Sequence, residues 1–151
     1  MIAARAEVVV PAPPQEAFRL FVDEIGLWWK PHTPYWNDAE RGLYLRIEPG
    51  VGGRFVEVHD AETETGFEIG RVTVWAPGER LGLTWTQAGW PEGEATDVAI
   101  AFAPVAGGTR VRLEHTGFER VGADGAAAGY EAGWAEILGW YGERARAGAR
   151  A

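Results

Sequence analysis

The chain contains no cysteine and no serine, and Lys30 is its single lysine. Without cysteine there is no disulfide, no thiolate nucleophile and no thiolate metal ligand. Without serine as well, Ser- or Cys-based acyl-enzyme chemistry is excluded. The lack of cysteine fits a reducing compartment. Long apolar runs are missing too, since no window approaches the roughly 18 apolar residues of a membrane span. The opening "MIAARAEVVV" has no basic stretch followed by an apolar run of signal length. The expectation is a soluble, cytoplasmic protein with no membrane insertion. Positive charge is also scarce: 14 Lys and Arg stand against 22 Asp and Glu, for a net charge of −8. Nucleic acid is therefore not expected as a partner, because phosphate contacts need clustered Lys and Arg.

What is abundant is apolar and aromatic. The 151 residues are 46% hydrophobic, which suits one domain over residues 1–151 with a real core. Eight tryptophans exceed what packing asks of a chain this size, which suggests that several line a cavity or an interface.

"RAEVVV", Arg5 to Val10, reads as a first strand. In "PAPPQEAFRLFV" the prolines end that strand, and Pro14 suits the first turn of a helix. "EIGLWWKPHTPYW" reads as a second short helix broken at Pro31. Six strands follow, closed by turns such as Pro49-Gly50 and Pro77-Gly78. "VGADGAAAG" reads as a flexible approach to a final helix over Gly129 to Arg144. At about 100° per residue, Tyr130, Gly133, Trp134, Ile137, Leu138, Trp140 and Tyr141 share one arc of that helix. Gly133 then faces the sheet, where a missing side chain permits close approach or leaves space. Gly139 and Gly142 fall outward, with no packing reason evident. The predicted class is α+β: a curved antiparallel sheet of about seven strands, covered by the long C-terminal helix.

Strand parity assigns the inner face. Val98, Ile100 and Phe102 share one side, as do Val111, Leu113 and His115, and Leu81, Leu83 and Trp85. In "RFVEVH" the parity is ambiguous; if Phe55 points inward, Glu57 and His59 go with it.

The order of elements, with "VVVPAPPQEAFRLF", the paired Trp28-Trp29, "EPGVGGRFVEVHD", "GRVTVWAPGERLGLTW", "TRVRLEHTGFERVG" and "GWAEIL", resembles the helix-grip superfamily of START, birch-pollen-allergen-like and polyketide-cyclase-like proteins (SRPBCC). Within it the chain looks like the family named for the C-terminal domain of the Hsp90 ATPase activator. It departs from that family in "APGE", where relatives commonly carry a double proline. The resemblance implies a sheet gripping the last helix around a cavity that takes a small apolar or aromatic molecule. It leaves a homodimer and a chaperone partner open.

On that reading the expected ligand-binding residues are Trp28, Trp29, Trp36, Phe55, Glu57, Trp85, Phe102, His115, Trp134 and Leu138. Trp28, Trp29, Tyr35 and Trp36 bracket "KPHTP" and suggest an aromatic lid, or else ordinary packing of the short helices. Glu57 and His115 are the candidate catalytic pair, a general base and its partner facing one cavity; the bland alternative puts Glu57 at the sheet rim and His115 at a strand end. His32, His59 and His115 match no metal-ligand spacing, so no metal is expected. "GVGG" has no phosphate-loop lysine and precedes a strand, so it is a turn, and no cofactor is expected. Three functions follow in order: binding of a small hydrophobic ligand, a cyclase, dehydratase or hydrolase using Glu57 and His115, or a chaperone-associated interaction module.

Overall fold

The computed structural model describes residues 2–150. Strand β1 (Ala3–Val10) leads into helices α1 (Pro14–Asp23) and α2 (Ile25–Trp28). Strands β2 (Tyr44–Ile47), β3 (Arg54–Asp60), β4 (Thr65–Ala76), β5 (Arg80–Trp85), β6 (Thr96–Val105) and β7 (Gly108–Thr116) follow. Two short 3-10 turns, Phe118–Val121 and Asp124–Ala126, precede helix α3 (Ala127–Arg150). The strands form one antiparallel sheet in the order β1-β7-β6-β5-β4-β3-β2.

Hairpin connectivity follows from the short turns, and the curvature has local causes. Register shifts interrupt the pairing at Phe55/Val56, Val58/Asp60 and Val72/Val74. Such bulges bend a strand and raise its twist. β4 is long enough to serve both halves of the sheet, pairing with β3 through Thr65–Arg71 and with β5 through Val72–Ala76.

The helix covers the inner face as its pattern predicts. Gly133, Trp134, Ile137, Leu138, Trp140 and Tyr141 are buried, while Glu131, Ala135, Glu136 and Glu143 are exposed. Opposite them, β6 buries Val98, Ile100 and Phe102 and exposes Asp97, Ala99 and Ala101. Each fully buried side chain of this kind contributes roughly 1.5–3 kcal/mol. Tyr141 ties the layers together: its hydroxyl donates to the Ala17 carbonyl of α1 at 2.7 Å, and its ring lies 5.1 Å from that of Phe21.

Several boundaries differ from expectation. α3 begins before Gly129 and continues past Arg144, because its alanines and arginines propagate a helix well. The expected flexible approach is ordered into the second 3-10 turn and the first turn of α3. Gly142 is not outward. It is buried against β1, where a Cβ would stand 3.1 Å from Val8 Cγ2. Around Gly139 and Gly129 a Cβ would meet nothing.

Candidate functional site

A recess of about 510 Å³ opens between the first half of α3, the end of β5 and the loop joining α2 to β2. That volume lies within the roughly 300–1,000 Å³ of small-molecule sites. Trp36 and Asn37 line it from the loop, Trp85 and Gln87 from β5 and beyond, and Tyr130, Gly133 and Trp134 from α3. A larger depression on the outer face of the sheet, about 830 Å³, is rimmed by Arg5, Glu7, Arg112 and Glu114 over Ala99 and Ala101. Its rim charges pair with one another, Arg5 with Glu114 at 2.8 Å and Arg112 with Glu7 at 3.6 Å. It lacks the aromatic walls of the first.

Those walls are fixed by hydrogen bonds. Trp134 donates Nε1–H to Nδ1 of His115 at 3.0 Å. An indole nitrogen only donates, so Nδ1 accepts and His115 carries its proton on Nε2. That proton goes to Thr96 Oγ1 at 2.7 Å, and the Thr96 hydroxyl donates to the Trp85 carbonyl at 2.9 Å. His115 has no solvent exposure. Burial pushes its pKa down to about 4, against a weaker opposing pull from Asp97. It is a neutral strut between two walls.

A second chain runs from Trp85 Nε1 to the Tyr130 hydroxyl at 3.3 Å, and from that hydroxyl to Gln87 Oε1. Burial raises the Tyr130 pKa, so the phenol stays protonated and donates. The loop wall is held from below. Glu57, 1% exposed, accepts the backbone N–H of Asn37 at 2.7 Å on one oxygen and that of Asp38 at 2.9 Å on the other. His59 Nε2 also reaches Glu57, at 2.7 Å. Trp36 donates its indole N–H to the Lys30 carbonyl at 2.8 Å, and its ring lies so close over Gly42 that a Cβ there would collide with it. Gly133 leaves room for Tyr35, whose Cε1 would stand 3.1 Å from an added Cβ. No group of three His, Cys, Asp or Glu placed to hold a metal occurs among the described residues. No helix among them is long and apolar enough to cross a membrane.

The family description "Activator of Hsp90 ATPase homolog 1-like protein" matches residues 11–139. The chain belongs to this family. Among solved structures, the anthrahydroquino-gamma-pyrone synthase Txn09, solved in complex with SUM, is 29% identical, with a TM-score of 0.62 and coverage of 95% of this chain and 96% of that one. The Aha1 dimer of Colwellia psychrerythraea is 18% identical, with a TM-score of 0.64 and 96% of each chain covered. Protein MLL2253 of Mesorhizobium loti is 21% identical, with a TM-score of 0.67 and coverage of 93% and 94%. No curated protein matches the chain in sequence.

In this member of the family the expected site residues divide. Trp36, Trp85 and Trp134 line the recess. Trp28, Trp29, Phe55, Phe102 and Leu138 do not, and are buried in the core. The expected four-residue lid therefore splits. Trp28 donates to the Leu20 carbonyl at 3.2 Å and packs on Phe21 and Tyr141, while Tyr35 and Trp36 form a wall. Glu57 and His115 are both buried, as a cavity pair requires, yet neither lines the recess and they share no hydrogen bond. Glu57 spends its oxygens on the loop, and both His115 nitrogens are engaged, so the expected acid–base pair is not assembled. Asn37, Gln87 and Tyr130 were missing from the expected set. Gln87 continues the parity of Trp85, and Tyr130 opens the inward arc of α3, so both left a signal. Asn37 lies in a loop without periodicity and left none.

Proposed function

We propose that this chain binds a small aromatic or otherwise hydrophobic molecule in the recess beside α3. The observation that carries the reading is a set of aromatic walls, Trp36, Trp85, Tyr130 and Trp134, each held in place by its own hydrogen bond while a volume of about 510 Å³ is left beside them. Walls fixed before binding lose little side-chain entropy on association. The relative named as an anthrahydroquino-gamma-pyrone synthase supports the same class of ligand. Binding is favoured over acid–base turnover by Glu57 and His115, because both groups have their hydrogen-bonding capacity committed to the scaffold. Native mass spectrometry of the protein isolated from the cells that make it tests the reading. A single aromatic molecule retained by the folded chain, and released on unfolding, is the expected result.

A further inference from the structure

We infer that the recess selects a planar aromatic ligand carrying an uncharged carbonyl acceptor, such as a ketone, quinone or pyrone, and that the Gln87 amide N–H reads that carbonyl. The inference rests on the reading of the recess as an aromatic-ligand site and adds the polarity of the ligand's edge.

The inventory of polar atoms along the walls carries it. The three indole N–H donors are consumed: Trp36 by the Lys30 carbonyl, Trp85 by Tyr130, and Trp134 by His115. The Tyr35 hydroxyl donates to Glu136, and the Tyr130 hydroxyl donates to Gln87 Oε1. Each amide oxygen already has one partner. Gln87 Oε1 takes the Tyr130 proton, and Asn37 Oδ1 takes the backbone N–H of Ala88 at 2.8 Å. A side-chain amide has two N–H donors beside its oxygen. Asn37 extends one of them toward Glu57 Oε1 at 3.4 Å, and Gln87 Nε2 makes no hydrogen bond among the described residues. Gln87 Nε2 is thus the one side-chain polar atom of the lining with no partner among the described residues, so the unmet demand of the wall is for an acceptor on the ligand. A donor left unmatched when a ligand covers it loses its water without compensation, so a purely hydrocarbon ligand is disfavoured.

Charge narrows the class further. The recess is lined by Pro34, Tyr35, Trp36, Asn37, Gln87 and further uncharged side chains, with no Lys or Arg among them. Desolvating an anion there would go uncompensated by any facing cation, and the chain's net charge of −8 repels it at long range. A neutral carbonyl meets both conditions.

The test compares three planar probes, fluorene, fluorenone and fluorene carboxylate, by quenching of tryptophan emission and by calorimetry on the full chain. Fluorenone is expected to bind about ten-fold tighter than fluorene, the worth of one matched hydrogen bond, with the carboxylate weakest. Gln87→Met keeps side-chain length without an N–H and is expected to erase the preference. Gln87→Glu replaces the donor with an acceptor and is expected to disfavour fluorenone. Equal binding of fluorene and fluorenone, tightest binding of the carboxylate, or a preference that survives both variants overturns the inference while leaving aromatic binding intact. If none of the three probes binds, the reading of the recess itself fails, and the inference with it.

Discussion

Trp134 and His115 are joined by an indole-to-imidazole hydrogen bond of 3.0 Å in which the imidazole can only be the acceptor. The bond fixes the neutral tautomer and makes His115 the joint between Trp134 and, through Thr96, the backbone of Trp85. Protonating Nδ1 would break it. With its folded-state pKa depressed to about 4, His115 takes up its proton later than the unfolded chain does as the pH falls. Stability from this group is complete above about pH 6.5 and is lost as the pH falls from there toward 4, by about 3 kcal/mol in total. Denaturant unfolding between pH 7 and 5 reads this, in a window that lies above ordinary carboxylate titration. His115→Gln should flatten the slope there. An unchanged slope in the variant would contradict the assignment.

Glu57 serves the recess from beneath, through the two backbone N–H groups of Asn37 and Asp38. Glu57→Gln keeps the shape but sets an amide N–H against one of these donors. Leaving a buried donor unsatisfied costs about 1–3 kcal/mol, so the denaturation midpoint should fall by that amount. Probe affinity should weaken with it, because Trp36 and Asn37 lose their anchor. A variant as stable as the parent would show that the loop is held by other contacts.

The glycines of α3 separate into two kinds. A Cβ at Gly139 would meet nothing, so Gly139→Ala should raise stability by about 0.5–1 kcal/mol through helix propensity alone. At Gly142 a Cβ would press on Val8 and the Arg146 guanidinium, each at 3.1 Å. Gly142→Ala should therefore lack that gain. Thermal melts of the two variants side by side give the comparison, and equal gains at both sites would show that β1 yields freely.

Trp134 is both core and wall. Trp134→Ala should cost about 3–5 kcal/mol, as large aromatic deletions in cores do, and it strands the His115 acceptor as well. A loss under about 1 kcal/mol, within the range of ordinary surface changes, would show that the helix face is misassigned.

The fold was legible where periodicity was strong. The inward arc of α3 and the strict alternation of β6 placed Trp134, Ile137, Leu138, Val98, Ile100 and Phe102 without any tertiary information. The site was legible only in part. Trp28-Trp29 and Tyr35-Trp36 read as one aromatic cluster, but the helical turn of α2 carries the first pair into the core before the loop delivers the second pair to the recess. Parity tied Glu57 to the face of Phe55 but left open which face of β3 that was. Its role was not legible either, because its partners are backbone N–H groups of a loop that carries no side-chain pattern. His115 was visible as a buried imidazole on the inner face; that it holds two tryptophans rather than a substrate depends on Thr96 and Trp134, which meet it only in the folded chain.

The most direct test of the aromatic recess fills it. Gly129 lines the recess on the first turns of α3, and a side chain there would meet no protein atom near its Cβ. Gly129→Leu should therefore leave the fold intact while occupying the space. The measurement is equilibrium binding of N-phenyl-1-naphthylamine, a neutral aromatic fluorophore, to the parent and the variant at matched unfolding midpoints. The account predicts saturable binding of one probe per parent chain and at least about ten-fold weaker binding to the variant. Equal binding to both proteins, or no binding to the folded parent, would contradict it.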